Sequence, residues 1–270
     1  MNKNIKIAVL TAAFLLPGGY ALAGKVVIEG STTVLPITQK AAEAYMQAHP
    51  SADLAVRGGG SGVGLASLID GTCDIADASR SVKSAELDRA GRKKRELKAH
   101  MIAMDGIAVV VPPSNNVKGL SKAQLRDIYT GKISNWSKVG GPDLKIVVVS
   151  RDSASGTFEA FGELALERRR VRPDAIVQAS NQGVASVVAR APGAVGYVGL
   201  GYVSSSLKAL EIDGIAPSRA TVISNKYPIS RPLFMYTNGV PQGDVKGFID
   251  FLKSPEGQKL VEEAGFVGLK

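Results

Sequence analysis

Cysteine, histidine and aromatic residues are scarce in this chain of 270 residues: one cysteine (Cys73), two histidines (His49 and His100) and 6% Phe, Trp and Tyr. A single thiol excludes a disulfide scaffold, and one cysteine with two histidines leaves a Cys/His zinc site short of ligands. No apolar run is long enough to span a bilayer core of roughly 30 Å. Tandem repeats, low-complexity tracts and a Pro/Ser-rich linker are absent too, so two domains, if present, must be joined by strands rather than by a tether. What the chain does contain is 45% hydrophobic residues, enough for a core and too many for a disordered chain. It also carries 33 Lys+Arg against 24 Asp+Glu, a net charge of +9.

Residues 1–23 read as a cleavable secretory leader. Lys3 and Lys6 form a basic start, Ile7 to Leu16 an apolar stretch, and Pro17-Gly18-Gly19 a break; Ala21-Leu22-Ala23 then supplies small residues at the cleavage positions. The apolar stretch is too short for an anchor, and no cysteine follows it for lipid attachment. Cleavage after Ala23 removes two lysines and no acids, leaving an exported chain with a net charge of +7. Export speaks against nucleic acid as a partner. The runs Arg92-Lys93-Lys94-Arg95 and Arg168-Arg169-Arg170 have no interleaved aromatics for base stacking and read as solvated helix faces. A positive excess still attracts small anions over a Debye length of about 8 Å.

Strand-like and helix-like segments alternate, which predicts α/β layers with mainly parallel sheets. Val26–Glu29, Leu54–Arg57, Ile107–Val111, Lys145–Ser150 and Arg231–Tyr236 read as strands. Helical spacing places Val34, Ile37, Ala41 and Tyr45 on one face, and predicts a terminal helix over Phe248–Ala264 interrupted near Pro255. Three times a strand runs into a loop of Gly, Ser and Thr and then a helix start: Gly30-Ser31-Thr32-Thr33, Gly58-Gly59-Gly60-Ser61-Gly62, and Ser150-Arg151-Asp152-Ser153-Ala154-Ser155-Gly156-Thr157. Such helix starts present free N–H groups and partial positive charge, hydroxyls add donors, and glycine permits close approach. One such loop is an ordinary capped helix; three, one with an arginine, suggest a caged oxyanion at the carboxyl ends of the strands.

Enzyme signatures fail in detail. Gly59 to Gly64 has P-loop glycine spacing, but Leu65-Ala66 stands where Lys-Ser/Thr is required. Ser61 and Ser155 lack the last glycine of a nucleophile elbow, replaced by Val63 and Thr157. His49 and His100 sit in no loop that offers a nucleophile or an orienting acid, and both read as surface residues. No catalytic, metal or cofactor site is expected.

The segments GSTTVLP (30–36), GGGSG (58–62), LRDIYTGKISNW (125–136), SRDSASGTF (150–158) and PGAVGYVG (192–199), in this order and spacing, resemble the periplasmic phosphate-binding proteins of the high-affinity phosphate ABC transporter. The resemblance covers nearly all of residues 24–270. It implies the type II periplasmic-binding-protein fold: two α/β lobes joined by two crossover strands, closing on the ligand like a hinge. Lobe I would comprise 24–105 plus 229–270, and lobe II 106–228. The implied function is capture of inorganic phosphate by a monomer and delivery to an inner-membrane ABC permease. By motif, the implied phosphate ligands are Thr32, Thr33, Ser61, Arg151, Ser155, Gly156 and Thr157, with Ser31, Ser79, Arg80 and Asp105 as secondary candidates. Arg151 would be the one obligatory cation, its planar fork matched to phosphate oxygens, with Asp152 or Ser153 to orient it.

One departure bears on selectivity. Several relatives carry, after the second loop, an aspartate that accepts the proton of hydrogen phosphate; here Asp74-Ile75-Ala76-Asp77-Ala78-Ser79-Arg80 puts Arg80 near that place. Sulfate has no proton to donate, so loss of the acceptor weakens the discrimination between the two anions. Asp77 and Asp105 are the candidate replacements, and Arg80 could instead pair with one of them. The competing functional readings are the same fold tuned to sulfate or molybdate, an exported anion-sensing or adhesion module, and, least supported, a phosphate-ester hydrolase acting through Ser61 or Ser155.

Overall fold

The structure, a computed structural model, describes residues 24–269; the expected leader lies outside the described residues. In chain order the elements are β1 (Val26–Gly30), α1 (Leu35–Ala48), β2 (Leu54–Gly58), α2 (Ser61–Asp70), β3 (Ile75–Ala78), α3 (Ser84–Arg92) and β4 (Leu97–Val111). Next come β5 (Gly119–Leu120), α4 (Lys122–Tyr129), β6 (Val147–Arg151), α5 (Gly156–Leu164), β7 (Ile176–Gln178), α6 (Asn181–Arg190) and β8 (Ala194–Gly199). The chain closes with β9 (Lys208–Ala209), β10 (Glu211–Ile212), α7 (Arg219–Ile223), β11 (Ser230–Asn238), α8 (Gly243–Lys253) and α9 (Pro255–Glu263).

The main sheet has the order β2-β1-β3-β11-β4-β8-β6-β7. Its outer pairs, β1 with β2 and β3 and β6 with β7 and β8, are parallel, as the alternating pattern predicts. The centre is antiparallel and makes the two lobes. β4 pairs with β11 from Leu97↔Asn238 to Gly106↔Ser230, then changes partner and pairs with β8 from Ile107↔Gly199 to Val110↔Gly196. A strand of 15 residues spans about 50 Å, so β4 runs out of one lobe and into the other, with β11 returning beside it.

Each lobe has its own core. In the first, Ile37 and Ala41 from α1 meet Ile28, Ile102, Leu233, Phe248 and Leu252. In the second, Leu125 and Tyr129 from α4 and Phe161 from α5 pack on Val109, Val148 and Tyr197. Phe161 stacks on Tyr197, centroids 4.0 Å apart, which ties α5 to the strand beneath it. Trp136 is fully buried, and its indole N–H donates to the Gly193 carbonyl at 3.0 Å.

Three expectations are corrected. The strand expected at Ile107–Val111 begins ten residues earlier, at Leu97; its first half is half-exposed and carries Lys98 and His100, which break an apolar reading. The terminal helix is two helices, because Pro255 starts a new one and the Ser254 hydroxyl caps it by accepting from the Gly257 N–H at 3.2 Å. His49 is exposed as expected, but His100 is half-buried on β4, its Nε2 2.8 Å from the Thr237 hydroxyl. Burial, followed by Lys253 and Lys98, pushes the His100 pKa down. Both basic runs lie at the surface, with Arg92, Lys93 and Lys94 and all of Arg168–Arg170 exposed.

Candidate functional site

The three hydroxyl-rich loops leave the carboxyl ends of β1, β2 and β6 and meet in the cleft between the lobes. Ser31 opens the first: its hydroxyl accepts from the Thr33 N–H at 3.1 Å, a local turn that sets Thr32 and Thr33 ahead of α1. In the second, Gly60 has φ +97° and its amide side abuts the third loop. A Cβ there would lie 2.7 Å from the Ala154 carbonyl oxygen, so only glycine fits. Across the same contact the Gly62 N–H donates to Ala154 O at 2.9 Å, joining the lobes. Gly156 is equally constrained: a Cβ would lie 2.3 Å from Ser61 Oγ and 2.7 Å from Ser79 Oγ. Ser155 caps α5, accepting from the Phe158 N–H at 3.2 Å. The Ser79 N–H donates to Ser61 Oγ at 3.0 Å, and the two hydroxyls are 3.4 Å apart.

Thr33 and Thr157, from opposite lobes, have hydroxyls 2.8 Å apart. The cleft thus gathers Ser31, Thr32, Thr33, Ser61, Ser79, Ser155, Gly156 and Thr157, and every side-chain hydroxyl among them is buried. It also gathers two residues the sequence reading missed. Asn181, the first residue of α6, donates through Nδ2 to Thr32 and Thr33 hydroxyls at 3.1 and 3.0 Å. Ser180 caps that helix by accepting from the Gly183 N–H, so α6 is a fourth helix start at the cleft. Val177-Gln178-Ala179-Ser180-Asn181 repeats the strand, loop and hydroxyl pattern of the other three, a signal that could have found it. Arg231 is the second; its signal was one cation in a strand otherwise apolar from Leu233 to Tyr236.

Arg151 is 2% exposed at the end of β6. Its Nε and Nη2 donate to the Gln178 and Ala179 carbonyls, both at 3.0 Å, while Nη1 is buried with no hydrogen-bond partner among the described residues. Asp152 lies 4.0 Å away, and its other oxygen accepts from the Ala154 N–H at 2.8 Å. Asp152 thus braces the loop and faces the guanidinium; Ser153 is exposed. Burial pulls the Arg151 pKa down, partly offset by Asp152.

The charged secondary candidates have other partners. Arg80 is held by Glu86, in a two-pronged contact at 2.7 and 2.8 Å, and by Glu159 at 2.6 Å, rather than by Asp77 or Asp105. Asp105 is fully buried; Oδ1 accepts from the Leu200 N–H at 2.9 Å and Oδ2 from Arg231 Nη2 and Nε at 2.9 and 3.1 Å. Burial raises its pKa, and the Arg231 charge opposes the rise. Three of its roughly four acceptor sites are thus taken by the chain itself. Asp77 lies beneath α1: Oδ2 accepts from the Thr38 hydroxyl at 2.7 Å, Oδ1 has no hydrogen-bond partner among the described residues, and burial pushes its pKa up to about 7.

Two lobes on paired crossover strands, with helix starts and hydroxyls converging between them, define a bilobed solute-binding protein. A family model described as a PBP superfamily domain matches residues 18–256. The chain is 36% identical to the phosphate-binding protein PstS of Bacillus subtilis over 246 residues, 90% of this chain and 80% of that one. It is 34% identical to PstS of Borreliella burgdorferi, over 90% and 89% of the two chains. In three dimensions it matches a candidate phosphate ABC transporter substrate-binding protein from Clostridium perfringens, solved with bound phosphate, with a TM-score of 0.86 and 35% identity over 92% of this chain and all of the other. An ABC-type phosphate transport receptor from Vibrio cholerae matches with a TM-score of 0.74 and 36% identity, over 90% of this chain and all of the receptor. The chain belongs to the phosphate-binding family of the periplasmic-binding-protein superfamily.

Proposed function

We propose that the protein is the phosphate-binding component of an ABC transporter, closing its lobes on inorganic phosphate and delivering it to a membrane permease. Beyond family membership, the observation that carries this reading is Arg151: a buried guanidinium whose Nη1 has no hydrogen-bond partner among the described residues, set among hydroxyls and helix starts. An oxyanion of charge −1 or −2 complements that arrangement, since each hydrogen bond to a charged ligand contributes about 1.5–3 kcal/mol net. The ligands in this reading are Thr32, Thr33, Ser61, Arg151, Ser155, Gly156 and Thr157, with Ser31 and Ser79 supporting the loops. Arg80 and Asp105 are structural. Lobe I is 24–105 with 229–270 and lobe II is 106–228, a division supported by the change of partner in β4 after Gly106.

The protein works outside the cytoplasm, exported by the leader at 1–23 into the periplasm, as a monomer and without catalysis. Calorimetric titration of the anion-stripped mature chain with phosphate and sulfate tests the reading. Phosphate at 100 times Kd is expected to raise stability by about 2.7 kcal/mol. Absence of a phosphate-dependent thermal shift would refute the transport reading. Equal binding of sulfate would move it to a general tetrahedral-oxyanion receptor.

A further inference from the structure

Asn181 and Arg231 are both buried, lie on different elements, and both donate to the threonines of the cleft. The direction of each hydrogen bond in this cluster follows from chemistry. A backbone N–H can only donate, so the Asn181 atom facing the Gly199 N–H at 3.0 Å is the carbonyl Oδ1, and its NH₂ faces Thr32 and Thr33. Arg231 Nη2, which has no acceptor capacity, gives one of its two hydrogens to Asp105 Oδ2 at 2.9 Å and shares the other between Thr33 Oγ1 at 3.2 Å and Thr157 Oγ1 at 3.0 Å. A hydroxyl oxygen has two lone pairs and one hydrogen. Asn181 and Arg231 occupy the lone pairs of Thr33, so its hydrogen goes to Thr157 Oγ1. Thr157 then accepts from Arg231 and from Thr33, and its own hydrogen is turned out of the cluster. Thr32 accepts from Asn181, which leaves its hydrogen and one lone pair free of the cluster.

We propose that Asn181 and Arg231 are positioning residues that fix the polarity of the site, so that Thr32 and Thr157 meet the ligand as hydrogen-bond donors. The proposal rests on the phosphate-binding reading above and adds a constraint to it: the ligand oxygen facing Thr157, whose lone pairs are both taken, is unprotonated, and the protonated oxygen of hydrogen phosphate points away from it. The chain from Asn181 and Arg231 through Thr33 to Thr157 also strengthens the last donor, because each bond polarises the next. Asn181, from lobe II, grips two threonines of lobe I, so this polarity is completed as the lobes meet.

The test is calorimetry with inorganic phosphate on the mature chain and its variants. Asn181→Ala is expected to weaken binding by about tenfold to a hundredfold. The decisive measurement repeats that substitution in a Thr32→Val/Thr157→Val background, where the hydroxyls through which Asn181 acts are gone. There its effect is expected to shrink to within about threefold. An undiminished loss in that background overturns the relay and leaves Asn181 a merely structural residue. Should Asn181→Ala fail to fold, Asn181→Asp keeps the shape and the acceptor for the Gly199 N–H while exchanging donor for acceptor. It is expected to cost more than tenfold in the parent and less in the valine background; equal costs overturn the proposal. A parent chain that does not bind phosphate overturns this proposal and the functional reading together, whereas a binding parent with equal losses overturns this proposal alone.

Discussion

Arg151 and Arg231 are both almost wholly buried, 2% and 4% exposed, yet their surroundings are opposite. Arg231 faces the Asp105 carboxylate at 2.9 Å and gives its remaining donors to Ser79 O, Thr33 and Thr157. Arg151 has two backbone carbonyls, a carboxylate no nearer than 4.0 Å, and one nitrogen without a partner. The first is a closed ion pair at the strand crossing; the second is a cation with one nitrogen left over for the proposed ligand. Burial alone therefore does not identify a ligand-binding arginine. The proposed role of Arg151 rests on its unpartnered Nη1 together with its place among the hydroxyl loops.

The strongest way to break this contrast is to remove Asp105. Asp105→Ala leaves Arg231 as an uncompensated buried charge and is expected to cost about 3–5 kcal/mol of stability, measured by denaturant unfolding. A loss below about 1 kcal/mol would show that the pair is not closed as described. Arg151→Ala is the converse: phosphate affinity is expected to fall about a hundredfold, near 3 kcal/mol, with stability in the absence of phosphate within about 1 kcal/mol of the parent. Affinity within twofold of the parent would remove Arg151 from the site.

The contrast extends to the acids. Asp105 has a cation beside it; Asp77 has only Thr38, and burial raises its pKa from 3.8 to about 7. Between those values the folded state holds a proton that the unfolded chain has lost, so the Asp77 contribution to stability falls as pH rises from about 4 to 7. Asp77→Asn is expected to flatten that part of the stability profile. A parallel pair of profiles for parent and variant would show that Asp77 does not titrate in this window.

The local elements of the site were legible in sequence because each is encoded locally: strand, hydroxyl loop, helix start. Long-range pairing was not. The carboxylates that hold Arg80, Glu86 and Glu159, lie 6 and 79 residues away along the chain, and only folding brings the second to 2.6 Å. Asp105 and Arg231 are joined by the register of β4 on β11, in which Arg231 faces Asp105 directly. The first half of β4 escaped notice because a crossover strand is half-exposed and carries polar residues, which hides it from a search for buried runs. Asn181 carried the same signature as the three loops, shortened by a strand of only three residues.

The ion pair at the crossing has a mechanical consequence. Asp105 precedes Gly106, the last residue of β4 that faces β11, and Arg231 faces Asp105 on the return strand. In the proposed closure, charges at the crossing have almost no lever arm: a rotation about it that parts Gly62 from Ala154 would barely change the separation of Asp105 and Arg231. Opening the cleft therefore need not expose or separate its most tightly held charges. The cost of the motion falls on the hydroxyl and amide contacts between the lobes, which water can replace.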